Sequence, residues 1–354
     1  MNLRLLAASA LALMIGLAVP AQAQTQTATA TAGTVSVEDW TAYKAKFLDP
    51  SGRIIDTANG RISHSEGQGY GLILAFLANS MSDFDQIWSF TKTELLLRDD
   101  GLSVWRWDPT KTPHVTDPNN ASDGDILIAY ALSLAGETWQ RPDLTSAAQS
   151  MIAAIGKHVV VAVPGGSITL LPGVVGFKST DRQDGPVVNP SYWVFEAMTR
   201  FASRDKATDW KALSRSGQAL VQAARFSDRQ LPAEWVSIKQ SPVPADGFPV
   251  EFSYNAIRIP LYMVRAGITD RNLLRPFMAD AGGPGLSLVE LNSGSVTATL
   301  SDPGYRIIPS LVACVVDKTP LPQDLLRFTP TDYYPSTLQL LALSYLRNIP
   351  GGCA

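Results

Sequence analysis

The residues best suited to chemistry are acidic side chains that stand at the start of apolar segments. Glu66 precedes an apolar run that continues to Leu77, and Asp123 precedes a second run in the same way. Two carboxyl groups brought together can act as a general acid and a general base. Each residue alone has a simpler interpretation, because an acidic residue in a first helical turn also complements the helix dipole.

Helix-start signals accompany these residues. Ser65 with Gln68 three residues later fits a capping box, and Asn189 stands before a proline at the favoured first helical position. Ser122 and Ser253 occupy similar positions before apolar segments. The pattern predicts four helices that begin with a polar first turn.

In a ring whose inner helices all run in one direction, these first turns lie on a common face. The side chains that would converge there are Glu66, Asp123, Tyr192 and Asn255. Polar groups that converge in this way predict a binding or catalytic site.

Two tryptophans lie close to the second acidic segment. Trp105 and Trp107 are spaced to share one side of an extended segment, where their rings could stack on sugar faces. The alternative is core packing, which we expect for one of the two.

The sequence lacks the residue patterns of several other kinds of functional site. The chain has three histidines and two cysteines, with no zinc-binding His-Glu-x-x-His or Cys-x-x-Cys spacing, no Walker A loop and no Gly-x-Ser-x-Gly elbow. A net charge of −3 argues against nucleic acid or an anionic membrane as the partner. We expect no metal and no cofactor.

The elements that must position these residues are mostly helical. Segments that are apolar on nearly all sides alternate with segments that carry one apolar stripe, which indicates buried inner and exposed outer helices. We therefore predict an all-α fold, an (α/α)₆ toroid with a minor β-hairpin between Val159 and Phe177 and a weaker candidate at 286–300. Helices are predicted at 37–47, 66–79, 84–97, 123–139, 144–158, 190–202, 209–225, 254–265, 270–279, 306–316 and 336–347.

The N-terminus has the features of a targeting segment. Residues 1–23 combine Arg4, an apolar run and an Ala-x-Ala cleavage pattern, which predicts a signal peptide and an exported protein, periplasmic or extracellular. Residues 24–34 predict a disordered leader, and 35–354 a single domain with no further membrane span. Cys314 and Cys353 could pair in an oxidising compartment or remain free thiols.

Five blocks of the sequence resemble glycoside hydrolase family 8. They are the segments around Glu66 (63–71), Asp123 (121–139), Tyr192 (189–192) and Asn255 (254–258), and the pair Tyr333-Tyr334, all in family order. The chain is most similar to the short endoglucanases associated with bacterial cellulose synthesis. The resemblance implies an inverting endo-β-1,4-glucanase.

The resemblance also implies roles for the matching residues. Glu66 would donate the proton to the glycosidic oxygen, and Asp123 would bind and distort the sugar at the cleavage point. Tyr192 and Arg258 would line the same subsite. Because a helix N-terminus favours the carboxylate, the pKa of Glu66 must be raised by its surroundings, and we expect Asp123 to be the neighbour that does so.

One position departs from the family pattern. Many members carry their catalytic base, an aspartate, where this chain has Asn255. Asp246 and Glu251, in the loop before Tyr254, are candidate replacements, although Asp246 also suits a simple turn. Glu234 is interpreted as structural.

Several alternatives stay open at this point. Without a base the protein would be a hydrolytically weak or inactive glucan-binding protein, and xylanases and chitosanases share the family. We expect a monomer that acts on a β-1,4-linked polysaccharide or oligosaccharide, in association with the cellulose synthase machinery.

Overall fold

The inner layer of the fold is a closed ring of six helices. The computed structural model describes residues 30–349 and residue 353. Within that part of the chain, each inner helix contacts the next, and the last contacts the first. They are α2 (Ser65–Leu77), α4 (Ser122–Thr138), α6 (Phe195–Arg204), α8 (Ile259–Arg265), α10 (Pro303–Asp317) and α11 (Tyr333–Leu346).

The outer layer consists of helices that bury one stripe only. Helix α1 (Val37–Phe47), for example, buries Trp40, Tyr43 and Phe47 and exposes charged residues between them. The others are α3 (Met81–Phe90), α5 (Pro142–His158), α7 (Trp210–Ala223) and the short α9 (Arg271–Leu274). A 3₁₀ turn, Gln323–Leu326, takes the sixth outer place. The predicted (α/α)₆ barrel is confirmed.

The eleven predicted helices are all present, with altered ends. The predicted helix at 84–97 divides into α3 and a π-helical turn, Thr91–Leu95. Short 3₁₀ turns, Pro190–Tyr192 and Ala256–Arg258, precede α6 and α8 where single helices were predicted. These turns carry Tyr192 and Arg258, two of the predicted site residues.

The predicted caps are correct at one position only. Asn189 caps its turn by accepting a hydrogen bond from the Ser191 amide at 3.1 Å. The N-cap of α2 is His64, whose Nδ1 accepts from the Gly67 amide at 2.9 Å, so the prediction of a Ser65 cap is wrong. Gln68 accepts from the Ile54 amide instead of closing a capping box.

All strands in the described residues are short and antiparallel. Both predicted hairpins are present, as β3 (Val160–Ala162) with β4 (Ile168–Leu170), and as β9 (Leu286–Glu290) with β10 (Val296–Leu300). Strand β8 (Glu251–Phe252) extends the second hairpin. Two further sheets join β1 (Ser63–His64) to β2 (Arg106–Trp107), and β5 (Val187–Val188) to β6 (Val236–Ser237) and β7 (Val243–Pro244).

The chain ends pack onto the ring. The predicted signal peptide and residues 24–29 lie outside the described residues. Residues 30–34 were predicted as disordered leader but are ordered, because the Gly33 amide donates to the Leu77 carbonyl at 2.7 Å and Arg347 bonds the Thr34 carbonyl. Cys314 and Cys353 form a disulfide with their Cα atoms 5.7 Å apart. Among residues 30–349 and 353, no helix has the length and apolarity to cross a membrane.

Candidate active site

The N-terminal ends of the six inner helices open into one cleft of about 770 Å³. Each end, or the turn before it, contributes to the lining; the contributors include Glu66, Asp123, Tyr192, Arg258, Tyr305 and Tyr333. Asn255 and Trp105 line the same cleft. The structure therefore brings together the four side chains that were expected to converge.

Two glycines allow the helices that carry Glu66 and Asp123 to approach each other. A Cβ atom on Gly124 would lie 2.1 Å from Ser65 Oγ and 2.7 Å from the backbone nitrogen of Glu66. One turn deeper, a Cβ on Gly69 would lie 2.5 Å from Leu127 Cβ. Because both positions lack a side chain, the first turns of α2 and α4 pack directly and set the two carboxyl groups side by side.

Arg258 connects these carboxyl groups. Its Nη1 donates to Glu66 Oε2, and its Nη2 donates to Asp123 Oδ2 at 2.5 Å and to Ser191 Oγ at 3.3 Å. The Glu66 side chain is 17% exposed, whereas those of Asp123 and Arg258 are 2% and 1% exposed. Of the two acids, Glu66 is therefore the one that can reach a bound molecule.

The two carboxyl groups differ in proton affinity. Burial, with the neighbouring Glu66, raises the pKa of Asp123 to about 7 against the opposing effect of Arg258. Burial also raises the pKa of Glu66, but Arg258, His64 and hydrogen bonds with Arg258 and Asp123 hold that pKa below its ordinary value. The expectation of a raised pKa on Glu66 itself is therefore wrong. One guanidinium and two carboxyl groups sharing one proton form a neutral cluster, which suits burial.

Aromatic rings form the walls of the cleft. The Tyr305 ring lies 6.3 Å from the rings of Tyr254 and Tyr334, and the Tyr334 hydroxyl donates to the Tyr254 carbonyl at 2.8 Å. Tyr192 lies under the Arg258 guanidinium, 5.6 Å from its ring centroid. Trp105 stands beside the start of α2, because its carbonyl accepts the Ser65 amide at 3.0 Å.

Trp107 does not line the cleft. Its ring packs in a separate apolar cluster with Phe90, Leu95 and Val104, and its Nε1 donates to Glu94 Oε2 at 3.0 Å. Strand β2 includes only Arg106 and Trp107, so the strand alternation does not extend back to Trp105. Core packing, which was expected for one of the two tryptophans, is confirmed for Trp107, and its prediction as a sugar-stacking residue is corrected.

Some cleft residues were not predicted as site residues. Asp56 Oδ2 and His64 Nε2 lie 3.4 Å apart. Burial lowers the pKa of His64, but the hydrogen bond to Asp56 and the charges of Glu66, Asp56 and Asp123 outweigh burial and raise it. Tyr333 places a hydroxyl in the same region, and it has no hydrogen-bond partner among the described residues. His64 lies in the same sequence block as Glu66, which was the available signal.

Asn255 is held from behind by Glu234. Glu234 Oε1 accepts a hydrogen bond from the Asn255 backbone amide at 2.6 Å, and Glu234 Oε2 accepts one from Asn255 Nδ2 at 3.0 Å. Glu234 is 8% exposed and does not line the cleft, whereas Asn255 does. The carboxylate interpreted as structural thus lies directly behind the residue that replaces the expected base.

The two candidate replacement bases lie elsewhere. Asp246 is exposed in a turn whose backbone is fixed by the Asp184 carboxylate and the Arg182 guanidinium. Glu251 lies on β8, and its carbonyl accepts the Glu234 amide. Neither residue lines the cleft. Asp246 lies in a turn between β7 and β8, as the simple-turn interpretation predicted, so the candidate-base interpretation of both residues differs from the structure.

The arrangement combines a retained proton with an open, aromatic-walled groove. Below about pH 7 the Glu66 and Asp123 pair keeps one proton, and Glu66 can present it to a bound molecule. Rings on the walls suit the flat faces of sugar units. No cluster of His, Cys, Asp and Glu suited to a metal occurs among the described residues.

Comparisons with known proteins agree with this chemistry. The family model described as glycosyl hydrolases family 8 matches residues 6–347. An endoglucanase of Cellulomonas uda is 41% identical over 226 residues, which cover 63% of this chain and 62% of that protein. A probable endoglucanase of Novacetimonas hansenii is 35% identical over 77% of this chain and 80% of its own length. The chain therefore spans slightly less than two thirds of the Cellulomonas relative.

Solved structures show the same fold. The endoglucanase Cel10 from Klebsiella pneumoniae, a family 8 glycosyl hydrolase, superposes with a TM-score of 0.79 at 34% identity, covering 88% of this chain and 99% of that one. The endo-β-1,4-glucanase CMCax from Acetobacter xylinum superposes with a TM-score of 0.77 at 33% identity, covering 87% and 96%.

Proposed function

This chain belongs to glycosyl hydrolase family 8, and we propose that it is an endo-β-1,4-glucanase that cleaves internal glucosidic bonds with inversion. The observation that carries the proposal is the position of Glu66, which is joined to Asp123 through Arg258 and is the exposed member of the pair. The endoglucanase names of its relatives support the substrate class. An open cleft, instead of a closed pocket, suits attack within a polymer.

The proton for the leaving group comes from the carboxyl pair. The pKa of Asp123, raised to about 7 by burial and by Glu66, keeps one proton on the pair at lower pH. Arg258 holds the carboxyl groups of Glu66 and Asp123 beside each other, so the proton can pass to Glu66 as the glycosidic oxygen takes it. Arg258 then compensates the carboxylate that remains. A general acid placed in this way contributes about 10²–10⁴-fold to rate.

The substrate proposal is tested by following new reducing ends from carboxymethyl-cellulose, xylan and chitosan with the mature protein. We expect release from the cellulose derivative, with a rapid fall in viscosity because internal bonds are cut. Release from xylan or chitosan alone would keep the family and contradict the glucanase proposal.

Asn255 favours a second candidate function, a glucan-binding protein with weak or no hydrolysis. A carboxamide is not a base at neutral pH unless another group takes its proton. Titration calorimetry with cellohexaose separates the two candidates. Binding without any new reducing ends would support the binding protein, and binding with turnover would exclude it.

We also propose that the protein is exported and acts as a monomer beside the cellulose synthesis machinery. Residues 1–23 support export, because a charged start, an apolar run and an Ala-x-Ala site are typical of a signal peptide. Cell fractionation with N-terminal sequencing tests the cleavage after Ala23, and light scattering tests the monomer. Full-length protein in the cytoplasm would contradict export.

A further inference from the structure

An inverting glycosidase needs a base that takes a proton from the attacking water. We propose that Asn255 and Glu234 supply this function together, with Asn255 Oδ1 receiving the proton from water while Asn255 Nδ2 passes a proton to Glu234. The proposal rests on the proposed glucanase function and names the group that completes it.

The hydrogen bonds fix the orientation of the Asn255 amide. Both carboxylate oxygens of Glu234 bind Asn255, one at the backbone nitrogen (2.6 Å) and one at Nδ2 (3.0 Å). Because Nδ2 faces Glu234, Oδ1 faces the other way, and no described residue donates a hydrogen bond to it. Asn255 lines the cleft with Glu66 and Asp123. A water molecule in the cleft is therefore the natural donor to Oδ1.

The proton transfers balance without any further reactant. The water oxygen bonds to the anomeric carbon as the bond to the leaving oxygen breaks, and Glu66 protonates that oxygen. A water proton goes to Asn255 Oδ1, and an Nδ2 proton goes to Glu234 Oε2. Asn255 becomes the imidic acid and Glu234 the neutral acid. After product release Glu234 returns its proton to the Asn255 nitrogen and the Oδ1 proton passes to solvent. Glu66 takes a proton from solvent in exchange, which restores all three groups.

The surroundings of Glu234 favour its role as the acceptor. Burial raises the pKa of Glu234, the nearby charge of Glu251 adds to this effect, and the hydrogen bonds from Asn255 and the charge of Arg258 oppose it. A carboxylate with a raised pKa is a stronger proton acceptor than an ordinary one. Burial is the main cause of the raised pKa of Tyr192, and the charge of Glu234 adds to it.

A purely structural role for Glu234 makes a different prediction. If Glu234 only held the segment before α8, its loss would damage the site whatever residue stood at position 255. If Glu234 accepts a proton through the amide, a carboxylate at position 255 makes it dispensable, because that carboxylate takes the proton from water directly. The double variant Glu234→Gln with Asn255→Asp therefore separates the two roles.

The experiment measures kcat and KM on carboxymethyl-cellulose for the mature wild type, Glu234→Gln, Asn255→Asp and the double variant. We expect Glu234→Gln to lower kcat by at least about 10²-fold, the lower end for loss of a general base, with a much smaller change in KM. Asn255→Asp should be at least as active as the wild type. The double variant should recover to the level of Asn255→Asp, since the introduced amide can donate to the introduced carboxylate.

Asp246→Asn is the matched control. It removes an exposed carboxylate of the loop before Tyr254 that neither lines the cleft nor makes a hydrogen bond to Asn255 or Glu234. We expect its kcat to stay within about threefold of the wild type. Melting curves and cellohexaose binding accompany every variant.

Three results would overturn the relay. Glu234→Gln with wild-type kcat would assign the base to another group, such as the cleft carboxylates Asp56 and Asp302. A double variant that binds cellohexaose but stays as inactive as Glu234→Gln, beside an active Asn255→Asp, would show a structural role. A wild type that hydrolyses no polymer would remove the proposed function and the relay with it, a pattern distinct from the first two.

Discussion

Two buried arginines on one segment differ in how many carboxyl groups they serve. Arg258 lies at the cleft floor with Glu66 and Asp123, and it contacts both. Arg265 lies seven residues further along the chain, roughly 10 Å deeper at helical rise. Glu196 is the one carboxylate that it binds among the described residues. That pair is two-pronged, with Nε to Oε1 at 2.7 Å and Nη2 to Oε2 at 3.0 Å.

The difference separates a structural ion pair from a reactive one. Around Arg265 the remaining groups are also bonded, because Nη1 donates to the Leu341 carbonyl and the Tyr130 hydroxyl donates to Glu196. Around Arg258, the excess carboxyl group retains a proton and Nε has no partner among the described residues. Because two carboxyl groups share one guanidinium, the cleft retains a proton that can be transferred.

The largest effect on stability is expected for Glu196→Gln. It leaves the Arg265 charge buried without a counter-charge, and breaking a buried pair costs about 3–5 kcal/mol. We expect the free energy of unfolding, measured in urea, to fall by that amount while kcat per folded molecule is unchanged. A large loss of kcat in the folded protein would break the comparison.

A medium effect is expected when each arginine becomes lysine. Lysine keeps the charge but has one nitrogen where arginine uses two, and a lost charge-assisted hydrogen bond costs about 1.5–3 kcal/mol. Arg258→Lys should lose that amount in kcat/KM, about 10–150-fold. Arg265→Lys should lose a similar amount in unfolding free energy instead. If both variants lost mainly stability, the cleft cluster would have no special role.

The smallest effect is a shift in pH dependence. Because the pKa of Asp123 is raised to about 7, the pair keeps its proton below that pH, and kcat/KM should fall as pH rises through about 7. In Asp123→Asn the neighbouring negative charge is absent and Arg258 serves Glu66 alone, so the pKa of Glu66 falls. The basic limb of the pH profile should therefore move to lower pH, by at least about one unit. An unmoved limb would contradict the shared proton.

Sequence alone located the helices and much of the cleft. Helical periodicity is local, so the inner and outer layers could be predicted from apolar patterns, and Glu66 and Asp123 from their place in first turns. Arg258 lies 192 positions from Glu66 in the sequence. Its place in the same subsite was predicted only through the family resemblance, and its contact with Glu66 was not predicted.

The incorrect expectations depended on contacts between distant segments. His64, and not Ser65, is the N-cap of α2, because its ring nitrogen accepts a hydrogen bond from the Gly67 amide. The Trp107 ring packs in a separate apolar cluster that includes Phe90. The Glu234 and Asn255 pairing joins residues on either side of β6 and β7, and neither residue shows it in its local pattern. The raised pKa belongs to Asp123 and not to Glu66. Its main cause is burial, and no local sequence pattern encodes how deeply a side chain is buried.

The most direct test of the central claim is the rate of reducing-end release from carboxymethyl-cellulose by the wild type and Glu66→Gln. Glu196→Gln serves as the matched control, since it makes the same change in a buried carboxylate paired with arginine away from the cleft. We predict that Glu66→Gln lowers kcat by about 10²–10⁴-fold while it folds and binds cellohexaose, and that Glu196→Gln keeps kcat per folded molecule. Full activity in Glu66→Gln would contradict the assignment of Glu66 as the proton donor.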